Sequence, residues 1–280
     1  MHILKKNMTS TSDIINLKPV KRKLEHNQEH KEKEASRDVK RVNIEQERQS
    51  TQVPQASHRN KQYRTAKLRE FFPDEDISTG NIIALLGRKG SGKTTVIKDL
   101  CEYLAPVIDL VIVISPTAIG NKFHHFVPIT CIHSKFDEDW LENLIDYQTK
   151  EWEDENNPKG KEVLIIFDDC AFDKKMFTCE AFRKLFFNCR WAHITTILAS
   201  QSPLNMPTYL RDQIDVTIAA YFGGERAQDQ LYENYFSVFP RFVDFKRTMK
   251  KVAKQRHMLV AVNSFSDDNE VESNIYWYKA

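Results

Sequence analysis

The feature that most constrains this chain is the pattern Gly-x-x-x-x-Gly-Lys-Thr at residues 87–94. It consists of Gly87, Arg88, Lys89, Gly90, Ser91, Gly92, Lys93 and Thr94. In such a loop, backbone N–H groups surround phosphates, the lysine neutralises the β- and γ-phosphate oxygens, and the threonine ligates Mg²⁺. Glycine is needed because the backbone must approach phosphate closely and adopt positive φ. Since the whole chain has only 8 Gly, the match is not expected by chance.

The segments on either side of the loop provide the context that such a loop requires. The apolar run at residues 82–86 is typical of a buried parallel strand. Residues 95–104 are predicted to form a helix, so the loop amides and the helix N-terminus converge on an anion. We therefore predict that residues 87–94, together with Thr95, bind a nucleoside triphosphate.

Charge is distributed unevenly, although the formal net charge is only +2. Residues 1–70 contain 17 Lys and Arg against 9 Asp and Glu, whereas residues 71–280 contain 24 against 30. The basic region has no Gly or Trp and a single aromatic residue, Tyr63. It lacks the apolar surface for a core, so we expect a disordered basic tail over residues 1–66 and an ATPase-type folded domain over residues 67–280. The basic run at residues 18–23 fits a solvated tail, nucleic-acid binding or a nuclear address.

The cysteine pattern and the length of the apolar runs indicate what kind of compartment the protein occupies and whether it spans a membrane. The chain has 5 Cys, with no Cys-x-x-Cys pair and no signal peptide, which favours a reducing compartment and argues against zinc. No apolar run approaches about 20 residues, so no membrane span is expected.

Short apolar strands alternate with helical segments from residue 80 onward. Strands are predicted at residues 82–86, 109–114, 163–167, 194–199 and 216–221, and helices at residues 137–150 and 174–190. This alternation predicts an α/β fold, a P-loop NTPase three-layer sandwich with a mostly parallel central sheet. Residues 257–262 and 275–278 predict a C-terminal antiparallel hairpin at the sheet edge.

Two carboxylates follow the strand predicted at residues 163–167. Asp168 is predicted to hold the Mg²⁺ water shell, and Asp169 to orient and deprotonate an attacking water. Kinases of this fold generally do not need the second carboxylate, so the pair favours hydrolysis. Gln201 ends the next predicted strand. If that strand lies between the phosphate-loop strand and the acidic strand, Gln201 points at the γ-phosphate and senses its cleavage.

Three motifs in a fixed order carry a family resemblance. They are residues 90–94, the apolar strand ending in Asp168 and Asp169, and residues 189–201, which read Arg-x-x-x-Ile followed by apolar residues and Ser-Gln. Together they resemble the packaging ATPases of large nucleocytoplasmic DNA viruses, of the poxvirus type, within the FtsK–HerA superfamily of P-loop NTPases. The likeness covers residues 78–262. Arg88 and Lys89 depart from the small residues common there, and the basic tail has no counterpart.

The resemblance implies a function and a set of partners. An enzyme of this type hydrolyses ATP with Mg²⁺ and assembles as a homo-oligomeric ring, a hexamer or a pentamer. It threads double-stranded DNA into a preformed capsid, with a capsid or portal protein as a further partner. The implied location is the host cytoplasm at the viral assembly site, and the virion, with the nucleus as an alternative.

A ring motor also needs a cation supplied by the neighbouring subunit. Arg211 is the favoured candidate because it follows Gln201 closely along the chain, and Arg190 and Arg183 are the alternatives. Arg88 and Lys89 add positive charge within the loop, which fits either phosphate contact or a solvated surface.

A second basic segment lies near the C-terminus. Residues 241–256 are predicted to be helical and contain one acid, Asp244, and these cations: Arg241, Lys246, Arg247, Lys250, Lys251, Lys254 and Arg256. Like charges four residues apart repel and destabilise a helix slightly, so an anionic partner would stabilise it. DNA phosphate is one such partner, and a solvated face is the alternative.

Three other functions compete with a packaging motor. A small-molecule kinase would share the loop, but the paired carboxylates and Gln201 argue against it. A DNA pump for repair or transfer would share the motifs and usually carries extra domains. A nonenzymatic scaffold gated by nucleotide would be expected to have lost catalytic residues, and this chain retains them.

Overall fold

The computed structural model describes residues 68–117, 123–153, 160–170, 175–263 and 271–280. In chain order the elements are β1 (Arg69–Glu70), α1 (Pro73–Asp76), β2 (Ile82–Leu86), α2 (Lys93–Leu104), β3 (Leu110–Ile114), a 3₁₀ turn (Ile129–Cys131), β4 (Ile132–His133), α3 (Glu138–Glu153), β5 (Val163–Asp168), a second 3₁₀ turn (Met176–Thr178), α4 (Glu180–Asn188), β6 (Ile194–Ser200), α5 (Thr208–Arg211), β7 (Val216–Ala219), α6 (Glu225–Tyr235), α7 (Phe242–Lys254), β8 (Met258–Val262), α8 (Val271–Asn274) and β9 (Ile275–Tyr278). The tail predicted over residues 1–66 lies outside the described residues and stays a prediction.

The described strands form one sheet in the order β1-β9-β8-β7-β2-β6-β5-β3-β4. β2 pairs in parallel with β6 and β7, β5 with β6 and β3, and β3 with β4. β6 therefore lies between the phosphate-loop strand β2 and the acidic strand β5. This is the arrangement that the interpretation of Gln201 requires, because parallel strands end at the same edge of the sheet.

Helices cover both faces of the sheet, as the α/β prediction requires. On one face α2 packs through Val96, Ile97 and Leu100. On the other, α3, α4, α6 and α7 pack against alternate residues of the same strands. All residues of β2, β5 and β6 are buried, and this explains why these strands read as continuous apolar runs rather than as an alternating pattern.

The predicted C-terminal hairpin is confirmed as an antiparallel pair of β8 and β9. β8 also runs antiparallel to β7. The pair is not outermost, however, because the short strand β1 adds in parallel to β9. The sequence analysis missed β1 because two residues give no periodicity.

The helix predicted over residues 174–190 was wrong at its start. α4 begins at Glu180, because Cys179 is extended with φ −73° and ψ 157° and separates α4 from the second 3₁₀ turn. α6 was not predicted at all. Of the helices that the structure describes, none is both long and apolar enough to span a membrane.

Candidate functional site

The loop at residues 87–94 joins the end of β2 to the start of α2, as predicted. Gly92 is the residue before the helix and has φ 92°, a conformation that favours glycine. Gly92 has no side chain that could cap the N-terminal end of α2. Gly87 is needed for packing, since a Cβ there would lie 2.3 Å from Ser91 Oγ and 3.0 Å from the Ala220 Cβ. The first N–H groups of α2 therefore face the loop and suit an anion.

Lys93 lies within this loop and is 8% exposed. Its Nζ donates hydrogen bonds to the carbonyl oxygens of Gly87 at 2.7 Å and Arg88 at 3.4 Å. The ammonium group is thus held over the loop, where a phosphate would exchange these neutral acceptors for charged ones. A charge-assisted hydrogen bond is stronger than a neutral one, so the exchange favours an anion.

A cavity of about 410 Å³ opens beside the loop. It is lined by Lys89, Gly90, Gly92, Lys93, Thr94, Thr95, Asp168 and Asp169. Asp168 is the last residue of β5 and only 2% exposed, while Thr94 is half-buried at the start of α2. Hydroxyl and carboxylate oxygens are the ligands that Mg²⁺ prefers. The donor set therefore fits a magnesium ion together with triphosphate oxygens.

Asp169 and Gln201 are brought together by the strand order. Gln201 Nε2 donates to Asp169 Oδ1 at 2.8 Å, and the Asp169 N–H donates to the Ala199 carbonyl at 3.3 Å. Asp169 has φ 54°, a left-handed conformation that is uncommon for residues other than glycine. Strained backbone of this kind often occurs at functional sites. The carboxylate is half-buried and lines the cavity, where a water-activating base is expected.

The two extra cations of the loop have different surroundings. Lys89 lines the cavity, whereas the Arg88 guanidinium lies near Gly224, the residue before α6. Both side chains are exposed. Lys89 is therefore the better placed of the two for phosphate contact.

The family assignment follows from residues 69–274, which match the family described as Poxvirus A32 protein. The chain belongs to the poxvirus A32 family. This confirms the resemblance predicted from the three motifs. The matched range includes the loop, both carboxylates and Gln201.

Viral relatives share much of the A32-family region. Uncharacterized protein 075L of Invertebrate iridescent virus 6 is 29% identical over 201 residues, which are 71% of this chain and 77% of that protein. Uncharacterized protein 015R of Frog virus 3 (isolate Goorha) is 28% identical over 208 residues, 74% of this chain and 63% of that protein. Uncharacterized protein L437 of Acanthamoeba polyphaga mimivirus is 24% identical over 226 residues, covering 78% of each.

Solved structures with similar backbones have low identity. B204, the DNA-packaging ATPase from Sulfolobus Turreted Icosahedral Virus, is 17% identical with a TM-score of 0.48, covering 72% of this chain and 98% of that one. The pCW3 conjugation coupling protein TcpA in its monomer form with ATPgS is 12% identical with a TM-score of 0.47, covering 72% and 60%. At these values neither structure assigns a role to a residue of this A32-family chain.

Arg190 lies at the edge of the sheet opposite to the phosphate loop. Its Nη2 is 2.5 Å from Asp215 Oδ1, and Asp215 Oδ2 accepts a hydrogen bond from the Ile82 N–H at the start of β2. The loop follows the other end of β2, about 15 Å away at about 3.3 Å a residue. Arg190 therefore does not join the cavity within the same chain.

Arg211 is held by its own turn. Its guanidinium donates to the Met206 carbonyl at 3.2 Å and to Thr208 Oγ1 at 2.8 Å, and it lies near Tyr235. Burial raises the pKa of the Tyr235 hydroxyl, and the charge of Arg211 opposes that shift. Arg211 is not among the described residues that line the cavity. Arg183 lies over the Tyr209 ring, 5.2 Å from its centroid.

The sequence analysis missed Ser115 as a site residue. Ser115 follows β3, is fully buried, and its hydroxyl lies 3.3 Å from Asp168 Oδ2. Its only sequence signal was a polar residue at the end of an apolar strand, because the contact depends on β3 lying next to β5.

The basic segment predicted to be helical is confirmed as α7, but its charges fall into two groups. Asp244 pairs with Arg241 at 2.7 Å and lies 3.9 Å from Arg247. Lys246 pairs with Glu225 at 2.8 Å, and this hydrogen bond lowers the pKa of Glu225. In the described part of the chain, the other cations form no ion pair, and all are exposed: Lys250, Lys251, Lys254 and Arg256.

The C-terminal end of α7 lies at the same sheet edge as the phosphate loop. Because β8 runs antiparallel to β7, it begins where the parallel strands end. Its first residue, Met258, lies against Gly92, with Cε 3.8 Å from the position that a Cβ would occupy. Arg256 is two residues earlier in the chain. Arg256, which is exposed and follows the end of α7, is therefore close to the phosphate loop.

Proposed function

We propose that this chain is an ATP-hydrolysing double-stranded DNA translocase that packages a viral genome into a preformed capsid. The observation that carries the proposal is the hydrogen bond from Gln201 to Asp169 beside the Lys93 loop. It aims a carboxylate at the space next to a predicted γ-phosphate, where a hydrolase needs a base. Membership of the A32 family and the likeness of its motifs to viral packaging ATPases support the packaging role.

In the proposed reaction each residue has a defined task. Asp169 accepts a proton from water, and the water oxygen bonds to the γ-phosphorus as the bond to the bridging oxygen of ADP breaks. The products are ADP and inorganic phosphate. Lys93 and the loop N–H groups stabilise the charge on the phosphate oxygens. Thr94 and Asp168 would hold Mg²⁺, which when bound neutralises part of the triphosphate charge.

The kinase alternative fits the cavity less well. A kinase must exclude water from the γ-phosphate and supply an acceptor pocket. Here Gln201 is exposed and Asp169 is half-buried, so water reaches the base directly. This exposure favours hydrolysis over transfer to a small molecule.

The exposed cations at the C-terminal end of α7 and directly after it support double-stranded DNA as the partner. Lys250, Lys251, Lys254 and Arg256 have no carboxylate partner among the described residues, whereas Lys246 has Glu225. Contacts with phosphate carry no sequence information, and this suits a motor that must process any sequence. A pump for DNA repair or transfer would use the same surface, so that function is the second candidate.

The remaining partners follow from the family resemblance. A homo-oligomeric ring, a hexamer or a pentamer, would let a neighbouring subunit supply the missing cation. Arg211 remains the preferred residue, because Arg190 is committed to Asp215. A capsid or portal protein is the further proposed partner. The proposed locations are the host cytoplasm and the virion.

The deciding experiment measures phosphate release with and without long, nonspecific double-stranded DNA at low salt, with Asp169→Asn as the blank. Stimulation should grow with duplex length and decrease with added salt, because counterion release drives the contact. Lys250→Ala combined with Lys254→Ala should weaken the stimulation. Lys246→Ala is the matched control and should weaken it less, since Glu225 already neutralises Lys246. ATP hydrolysis that is indifferent to DNA would contradict the translocase proposal.

A further inference from the structure

We infer that Ser115 is a positioning residue of the nucleotide site, whose hydroxyl holds the Asp168 carboxylate in the orientation needed for Mg²⁺-bound ATP. This inference rests on the proposed ATPase function. It adds a residue that belongs neither to the phosphate loop nor to the paired carboxylates.

Ser115 is fixed by the ends of three neighbouring strands. It directly follows β3, where Ile114 pairs with Phe167 of β5, so the residues that come next are Ser115 and Asp168. The Ser115 N–H donates to the His133 carbonyl of β4 at 2.9 Å. Ser115 is 0% exposed and Asp168 is 2% exposed. The hydroxyl and the carboxylate therefore meet away from solvent, at strand ends that are held by backbone hydrogen bonds.

The direction of the hydrogen bonds follows from proton counting. An ionised carboxylate only accepts, so the single hydroxyl proton of Ser115 is donated to Asp168 Oδ2 at 3.3 Å. Thr117 Oγ1 lies 3.2 Å from Ser115 Oγ and must then be the donor of that pair. The resulting chain runs from Thr117 through Ser115 to Asp168. Each donor in it increases the polarity of the next, which strengthens the contact with the carboxylate.

A second link joins the same two strand ends. The Cys170 Sγ donates to the Ile114 carbonyl at 3.2 Å. It connects the backbone of β3 to the residue after Asp169, and the same thiol lies 3.6 Å from the backbone carbonyl oxygen of Asp168. Cys170 therefore offers a matched control, because its removal loosens the same region while leaving the hydroxyl of Ser115 in place.

Orientation of the carboxylate matters because metal affinity depends on the groups that hold its ligands. Removing such a partner typically lowers metal affinity about 10- to 100-fold. A purely structural role for Ser115 would behave differently. It would weaken ATP binding equally with and without Mg²⁺, or change only the stability of the fold.

The test measures ATP affinity of the full chain by calorimetry, in EDTA and across a Mg²⁺ titration, without DNA. Ser115→Ala should bind ATP in EDTA as the wild type does, which also shows that the variant is folded. The Mg²⁺ concentration for half-maximal enhancement should rise about tenfold. Ser115→Thr keeps the hydroxyl and should show the wild-type Mg²⁺ requirement. Cys170→Ala should also keep the wild-type Mg²⁺ requirement.

Three results would overturn the inference. They are an unchanged Mg²⁺ requirement in Ser115→Ala, an equal loss of ATP affinity with and without Mg²⁺, and an equal Mg²⁺ defect in Cys170→Ala. Failure of the proposed nucleotide binding would look different, because the wild-type chain itself would then bind no ATP in either condition. Loss of DNA stimulation alone would contradict translocation and would leave the assignment of Ser115 intact.

Discussion

Gln201 Nε2 lies 2.8 Å from Asp169 Oδ1, and this hydrogen bond joins the ends of the neighbouring strands β6 and β5. Asp169 is held twice by the β6 side, since its N–H also donates to Ala199. The orientation of the Asp169 carboxylate is therefore set by residues at the end of β6, although β6 itself contributes no carboxylate. The hydrogen bond therefore gives Gln201 a second proposed role, which is to orient the candidate base Asp169 in addition to sensing the γ-phosphate.

Gln201→Ala should lower kcat about 10- to 100-fold and leave the KM for ATP close to that of the wild type. The reason is that a hydrogen bond to a charged group contributes about 1.5–3 kcal/mol, and here it orients a base rather than binding substrate. Steady-state phosphate release measures both constants. Asn205→Ala serves as the control, because it removes an exposed amide from the same loop between β6 and α5. An equal effect of the two changes would contradict the role of Gln201.

Asp169→Asn should bind ATP with nearly wild-type affinity and lower kcat by about 10²- to 10⁴-fold, the usual contribution of a general base. The amide keeps the size of the side chain but cannot accept the proton from water. Calorimetry for binding and single-turnover hydrolysis for chemistry separate the two steps. Near-normal turnover would mean that another group is the base.

Lys93→Ala should abolish tight binding of the triphosphate, because it removes the ammonium group held over the loop carbonyls of Gly87 and Arg88. Equilibrium binding of ATP is the measurement. Lys98→Ala is a suitable control, since Lys98 lies on the same helix and pairs with Glu102 at the surface. Unchanged affinity of Lys93→Ala would refute the phosphate-loop assignment.

Arg211→Ala should stop hydrolysis, and mixed assemblies that still contain arginine-bearing subunits should recover part of it. Activity as a function of the mixing ratio is the readout. Arg190→Ala should behave differently and lower the free energy of unfolding by about 1 kcal/mol, because it removes the ion pair with Asp215. If mixing has no effect for Arg211→Ala but restores Arg190→Ala, the assignment is reversed.

Stability should decrease at alkaline pH partly through Cys101. Burial raises the pKa of the Cys101 thiol to about 12, and the charge of Glu102 acts in the same direction. The unfolded chain releases this proton at about pH 8.5, the ordinary value for a thiol. The stabilising contribution is therefore complete below that pH and is lost as the pH rises toward 12. Urea unfolding at about pH 8 and about pH 10 should show a smaller decrease for Cys101→Ala than for the wild type.

Local motifs allowed the position of most candidate-site residues in the fold to be predicted. The loop and the paired carboxylates directly follow apolar strands, so their placement at one sheet edge required only parallel pairing. Ser115 could not be found this way, because its contact with Asp168 depends on which strand lies beside β5. The proximity of Met258 to Gly92 could not be predicted either, because it depends on β8 running antiparallel to β7.

Other differences have equally local causes. The start of α4 was misplaced because the extended backbone at Cys179 leaves no mark in the apolar pattern. The charges of α7 were counted correctly along the chain. Their partners were not predictable, since Glu225 belongs to another helix that the sequence analysis did not identify.

The two-residue strand β1 has a consequence for any shortened form of the protein. It pairs with the outer side of β9. Two hydrogen bonds support this pairing: the Phe71 N–H donates to the Trp277 carbonyl at 2.9 Å, and Arg69 Nη2 donates to the Tyr276 hydroxyl at 3.2 Å. Without it, β9 would present unpaired N–H and C=O groups, which act as a template for strands of other chains and promote aggregation. A truncation that begins beyond Phe71 would therefore produce a self-associating species even with every residue of the candidate site intact.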